Sequence, residues 1–299
     1  VKAAGAADFR PDWLRSAAGP KKGTQKRLSE DIHETLLTQL LANSSEDDAA
    51  DRRSAGGVGG AFFQQTVEEG FVLPDDHLRT ALRRRLCFAN PAETPGSSPA
   101  TQCQHVNASN GIKCGQALDA RGHHAEVCSA GGGPVRRHNR LRDWLEAWIH
   151  AQTGRPTCTE QVVPRWGRWV NDPKAEGGRR YEEGRLDVVF TSQQGRRTYV
   201  DVAVVSAATD SAERQRRRAK EDGVAAEAHE DTKRRRYPGA DLVPFVLEAL
   251  GRPGDAAMAL MRSLAPTEAA SRSKELGKAW RQISAILYEE LAESLLSSC

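Results

Sequence analysis

No apolar run in the 299-residue sequence approaches the ~18 residues that a helical membrane span requires. No charged start followed by an apolar stretch marks a secretory signal. The expectation is a soluble chain made in the cytosol, with no membrane partner. Methionine is scarce, two residues in all, and the sequence opens on Val1, so we expect the tail of a longer polyprotein or a partial gene product. Net charge is small as well. The 43 Lys and Arg against 40 Asp and Glu give +3, so any nucleic-acid affinity must come from local clusters and not from the whole-molecule field. The six cysteines, Cys87, Cys103, Cys114, Cys128, Cys158 and Cys299, are widely spread. Without an export signal they argue for metal binding or simple burial over a disulfide framework. No internal repeat is evident. The 38% hydrophobic content is enough for a modest core in about two domains.

What the sequence does hold is a patterned hairpin. One arm is Arg185-Leu186-Asp187-Val188-Val189-Phe190, the other runs from Thr198 to Val205, and a polar turn containing Gly195 joins them. A turn centred on Gln194 pairs Phe190 with Thr198 and Asp187 with Asp201. Opposed residues share a face, with β-carbons about 5 Å apart. Two carboxylates that close repel unless a cation lies between them, and oxygen ligands suit magnesium or manganese. Read alone, the hairpin also allows a plainer arrangement, one solvent-facing Asp per strand.

Along the rest of the chain, residues 1–30 read as disordered. Ile32, Leu36, Leu37, Leu40 and Leu41 mark a helix over 31–41. Residues 43–60 are acidic and then Gly rich, a linker, and 89–101 are Pro and Ser rich, a second one. Asp75 or Asp76 can cap a helix from His77 to Leu86. Its Arg83-Arg84-Arg85 run is either a phosphate-facing patch or an exposed helix face. From Arg137, the residues Leu141, Trp144, Leu145, Trp148 and Ile149 form one apolar helical stripe. A strand over Thr159 to Val163 and a polar loop through Gly177-Gly178 lead into the hairpin. Residues 211–237 are helical, broken near Gly223, with nine Lys or Arg against six Asp or Glu. Leu242 to Leu250 is an apolar segment, and a last amphipathic helix runs from about Leu276 to Leu296.

Cys103, Cys114, His124 and Cys128 fall within 26 residues, the donor types of a closed tetrahedral zinc site. His124 and Cys128 are close enough to bind one ion from a single turn. The Cys103–Cys114 spacing is long, so His105 or His123 could replace one ligand, and reduced thiols in a loop are the alternative to a metal. The segment has little apolar material, so with zinc its folding would be metal-linked.

Several motifs in order carry a resemblance: Cys114 through His124 and then Cys128; Gly131-Gly132; Arg137-His138-Asn139-Arg140-Leu141-Arg142-Asp143; Arg185-Leu186-Asp187; and Val200-Asp201-Val202. Over roughly 56–250 this resembles the C-terminal region of non-LTR retrotransposon polyproteins. There a zinc knuckle precedes a restriction-enzyme-like PD-(D/E)XK endonuclease, and the Gly59 to Phe62 and Leu78 to Leu86 stretches resemble the segment that links reverse transcriptase to the knuckle. The resemblance implies that Asp187 and Asp201 are the metal-binding acidic residues. Leu186 stands in place of the usual Pro. Ala203 stands where the motif's Lys would be, and in this family the Lys comes from a following helix, here Lys233, with Lys220 as second choice. Glu160 resembles the extra acidic residue of such sites, alongside the plainer reading of an exposed strand-end Glu. His138 would touch DNA, cap the helix or pack. Arg216, Arg217, Arg218, Arg234, Arg235 and Arg236 would neutralise phosphates, giving salt-sensitive and largely sequence-independent binding. Trp166 and Trp169 could stack on bases, with core packing the favoured reading.

The expected fold is α/β, a mixed sheet flanked by helices in a restriction-endonuclease-like arrangement with a small zinc knuckle. The expected order is a largely disordered tail with one short helix (1–55), a helical connector (56–100), the knuckle (101–130), an endonuclease-like domain (131–250) and a C-terminal helical segment (251–299). The implied activity is nicking of target DNA to prime reverse transcription, with structural Zn, catalytic Mg or Mn, DNA and element RNA as partners, a reverse transcriptase upstream, and action in the nucleus. The rivals are a non-catalytic nucleic-acid-binding remnant and an interaction scaffold built on the Leu276–Leu296 helix.

Overall fold

Leu141, Leu145, Trp148 and Ile149 recur every three or four residues, and they form the buried stripe of helix α5 (Gly133–Thr153). A computed structural model describes residues 24–64, 72–88, 102–192 and 194–298. The expected disordered residues 1–23 and linker 89–101 lie outside them. The chain divides into two compact units, Val1–Ser45 and Glu46–Cys299. The first contains α1 (Thr24–Ala42), which carries the expected leucine repeat and starts within the stretch read as disordered. The second holds all the motifs.

Its centre is a four-stranded mixed sheet flanked by helices. The strands are β1 (Thr157–Val162), β4 (Arg185–Thr191), β5 (Arg197–Val205) and β6 (Leu242–Glu248), in that spatial order. The first three are antiparallel and β6 runs parallel to β5. A parallel neighbour needs a crossover, which α6 (Ala212–Lys220) and α7 (Val224–Arg236) supply. The expected break between them falls at Gly223, whose φ of 76° caps α7. Pro244 is tolerated because β6 is an edge strand.

Strand alternation sends successive side chains to opposite faces. Val188 and Phe190, Val200 and Val202, and Phe245 and Leu247 pack with α5, α8 (Asp255–Leu264) and α9 (Ala269–Leu296). Each fully buried side chain of this size contributes roughly 1.5–3 kcal/mol. Ala203 and Val246 meet Ala226 of α7 on the other side. Asp187 and Asp201 differ by odd steps from the first set, so they lie on the α7 face.

Five expectations are corrected. The acidic and Gly-rich linker over 43–60 is instead α2 (Glu46–Ser54) followed by a 3-10 turn (Gly57–Gln64), with Ala49, Ala50 and Phe62 buried. The glycines are there for close approach: a Cβ on Gly251 would sit 2.7 Å from the Gly59 Cα. Arg84 is neither a phosphate-facing nor an exposed residue of α3 (Asp75–Arg85). It is buried between Asp51 at 2.6 Å and Glu126 at 3.0 Å, since a guanidinium taken out of water needs opposite charge beside it. Arg85 donates to the Tyr288 hydroxyl. The polar loop before the hairpin contains a two-stranded ribbon, β2 (Arg168–Asn171) with β3 (Arg179–Glu182). Trp166 is buried in the core as expected, but Trp169 on that ribbon is 67% exposed. Finally, α9 does not offer a free apolar face. Trp280, Ile283, Leu287 and Leu291 are buried against the rest of the chain, which removes the surface the scaffold reading needs. Among the described residues no helix is long and apolar enough to cross a membrane.

Candidate metal centres

The β4–β5 register pairs Phe190 with Thr198 and Val188 with Val200, as the turn centred on Gln194 requires. Carried one step further, it opposes Asp187 to Asp201. Backbone pairing stops short of that step. The Asp187 side chain takes over as acceptor, with Val202 N–H donating to its Oδ2 at 2.6 Å. The β1–β4 ladder pairs Thr159 with Val188 and Gln161 with Leu186, and the step it skips between them places Glu160 opposite Asp187 in the same row. Glu160 itself has φ 53°, a left-handed conformation that L residues rarely hold. Three carboxylates thus lie side by side on three adjacent strands.

Two helices complete the cluster. Lys233 of α7 brings its ammonium to 2.9 Å from Asp201 Oδ2, and His138 of α5 places Nε2 3.0 Å from Asp187 Oδ1. Ligand atoms of His138, Glu160 and Asp187 lie within 4.8 Å of one another. Asp201 Oδ2 is buried, with the Lys233 ammonium as its partner. Burial, reinforced by the neighbouring carboxylate, pushes Asp201 up to about 6 despite Lys233. Burial pushes Asp187 the same way, but His138 outweighs it and holds the group below the usual carboxylate range. The bond to Asp187 in turn raises His138. The pair therefore divides as two close acids must, one strengthened and one weakened.

Lys220, the second-choice lysine, ends α6 on the exposed surface. His138 is turned into the cluster. Arg142 was missed from the sequence, and it holds Glu160 by a short ion pair. Its signal was its spacing four residues after His138, which puts both on one helix face. The basic runs are largely spoken for. Arg217 pairs with Glu221 and Glu227, and Arg234 with Glu230 and Asp231. Arg218 donates to the carbonyls of Ser206, Ala207 and Ala208, and Arg236 to those of Trp166 and Glu183. Arg216 is 3.9 Å from Glu46, and Arg235 donates to Thr232.

The Glu160 backbone gives a direct test of strain. In an ordinary strand valine is favoured and glycine disfavoured. At φ 53° the order should reverse. Glu160→Val is expected to be less stable than Glu160→Gly by about 1–2 kcal/mol, read from urea midpoints. The usual strand order would mean that the kink is absent.

The second cluster is built on a loop folded back on itself. Gln102 pairs with Ala117 and Val106 with Lys113, and Cys114 N–H donates to the His105 carbonyl. This brings Cys103 and Cys114 together on one side, while the short helix α4 (His123–Val127) presents His124 with Cys128 just beyond. All four donor atoms lie within 4.8 Å of one another. Cys103 and Cys128 sulfurs are 3.8 Å apart, and Cys114 Sγ is 3.4 Å from His124 Nε2. A tetrahedron with zinc–sulfur bonds near 2.3 Å has edges of about 3.8 Å, so this Cys3His set could hold a zinc ion. Burial pushes the Cys103 thiol up to about 12, the direction a cation would reverse. Neither alternative histidine belongs to the set. His105 Nε2 lies 3.0 Å from the Ser294 carbonyl and anchors the loop to α9. His123 lies against Asp51 and Asp119.

Comparison with protein-family models and with curated proteins finds no match for this chain.

Proposed function

We propose that this chain carries a restriction-enzyme-like DNA endonuclease with an adjoining structural zinc knuckle, from the C-terminal region of a non-LTR retrotransposon polyprotein, and that it nicks target DNA in the nucleus to prime reverse transcription. The observation that carries the reading is the convergence of Asp187, Asp201 and Lys233 from two neighbouring strands and a later helix. A mixed sheet flanked by helices is the arrangement the resemblance implies, and the acidic row on its α7 face lets a residue of α7 reach the carboxylates.

Asp187 and Asp201 would hold the cation, with Glu160 beside them, at a place where the fold already sets a positive charge against Asp201 Oδ2. A magnesium or manganese ion bound there supplies Lewis acidity toward a phosphate oxygen and a more acidic water. Hydrolysis joins a water oxygen to phosphorus, passes the water proton to a base or solvent, and breaks the bond to the leaving sugar oxygen, which takes up a proton from solvent. Lys233 is positioned to orient that water or to stabilise charge on the phosphate oxygens. His138 is a positioning residue, keeping Asp187 ionised and fixed. Ala203, packed under Ala226, leaves room for α7 to approach and deliver the lysine.

Supercoiled plasmid incubated with magnesium or manganese at low salt is expected to become nicked. Lys233→Met should slow this about 10²- to 10⁴-fold, while Lys220→Met should nick like the unaltered chain. Salt-dependent DNA binding without cleavage under either metal would favour the non-catalytic remnant, and full activity in Lys233→Met would overturn the role of the lysine.

A further inference from the structure

The β2–β3 ribbon stands outside the main sheet, yet its construction is specific. It is spliced between β1, which carries Glu160, and β4, which carries Asp187. The β1–β4 ladder continues into its base through Val163 N–H donating to the Gly184 carbonyl at 2.7 Å. Arg236, three residues after Lys233, clamps that base by donating to the Trp166 carbonyl at 2.6 Å and pairing with Glu182 at 3.4 Å. Trp166 packs beneath it on Tyr199 and Tyr237. The tip is tied by Asp172 N–H to the Gly178 carbonyl and Ala175 N–H to the Asp172 carbonyl. The base of the ribbon is therefore tied to the sheet three residues beyond the acidic row.

Its outer face has little structural purpose in the isolated chain. Trp169 pairs with Tyr181 and Asn171 with Arg179, so these four side chains share one face. The two rings meet edge-on at 5.5 Å, and they are 67% and 47% exposed. A Cβ on Gly167 would collide with the Tyr181 hydroxyl, so that glycine lets the ring lie across the backbone. On the opposite face Arg168 is paired with Glu182 and Arg180 with Asp172. Among the described residues, Arg179 and Lys174 have no acidic partner. The basic runs of α6 and α7 are mostly neutralised within the fold, whereas the ribbon offers Arg179 on the face of the exposed rings and Lys174 at its tip.

We propose that the β2–β3 ribbon is a base-stacking grip for single-stranded DNA, holding an unpaired segment beside the acidic cluster. Trp169 and Tyr181 offer ring surface to a splayed base, and Arg179 and Lys174 meet the flanking phosphates. A base within an intact duplex has its faces covered by its neighbours, so the exposed rings select unpaired DNA, while the cations serve any phosphate backbone. The choice of DNA rests on the nuclease reading of the adjoining cluster.

The test is binding of a fluorescent 12-residue oligo-dT to the full chain without added divalent metal, so that no cleavage enters. Trp169→Ala should weaken binding about 5- to 150-fold, and Trp169→Phe should restore most of it. Arg179→Ala should lower the slope of log affinity against log salt by about 0.7. Unchanged circular dichroism would show that the exposed Trp169 is not needed for folding. Equal affinity in Trp169→Ala, stronger binding to the matching duplex, or preference for oligo-U would each overturn the proposal. Because the readout is metal-free binding, its failure leaves the nicking result standing, and a chain that never nicks can still pass this test.

Discussion

The Cys128→Ser protein is expected to lose bound zinc, falling from one ion per chain to none by atomic absorption, and to lose the fold of residues 102–130 with it. The loop that brings Cys103 and Cys114 together has exposed Val106, Ile112 and Asn110 and almost no core of its own. A structural zinc contributes about 10–16 kcal/mol in small peptides at neutral pH, far more than this loop can gain by burial. The damage should also spread. Ala125 and Glu126 of α4 are fully buried, and Glu126 is one of the two carboxylates around Arg84. If α4 leaves, Arg84 keeps Asp51 alone, and breaking a buried charge set costs about 3–5 kcal/mol. Amide exchange should therefore rise over 102–130 first and then over α2 and α3. His105→Ala gives the contrast. It removes an anchor to α9 and no ligand, so the protein should be less stable yet retain its zinc. Stoichiometric zinc in Cys128→Ser, or its loss in His105→Ala, would refute the ligand set.

How far the sequence could be read depended on how local the cause was. The hairpin register follows from alternation and one turn, so Phe190 facing Thr198 could be found by counting. Lys233 could be placed only through the family resemblance, since counting along the chain does not single it out from Lys220. His124 and Cys128 sit four apart on one turn. By contrast, the burial of Arg84 depends on partners 33 and 42 residues away. Nothing in Arg83-Arg84-Arg85 distinguishes the middle residue. The glycines before residue 61 looked like linker because composition cannot tell a flexible glycine from one pressed against a distant backbone, here Gly251. Trp166 and Trp169 are three apart and chemically equal. Only the unrecognised β2–β3 ribbon sends one inward and the other to the surface. The positive φ of Glu160 has no sequence signature at all, since glutamate is among the residues that avoid it.

Asp187→Ala is expected to lower the rate of metal-dependent nicking about a thousandfold or more, because a bound cation supplies several kcal/mol of transition-state stabilisation. The carboxylate has three attachments to lose: Val202 N–H, His138 and the cation it would share with Asp201. Alanine also leaves Val202 N–H without its acceptor, and a buried unpaired amide costs about 1–3 kcal/mol. Loss of activity in Asp187→Ala alone could therefore reflect loss of shape. Asp187→Asn separates the two effects. Its amide oxygen can still accept from Val202 while its NH2 faces His138, so the fold should hold with only a small fall in the urea midpoint, while the negative charge that binds the cation is gone. DNA binding without metal should be equal or tighter in both variants, since a charge that repels phosphate has been removed. Calorimetric titration with manganese should show weakened binding in Asp187→Asn in parallel with the loss of nicking. Unchanged nicking in Asp187→Asn would mean that the row of carboxylates does not form the cutting centre, whatever else gathers on that face of the sheet.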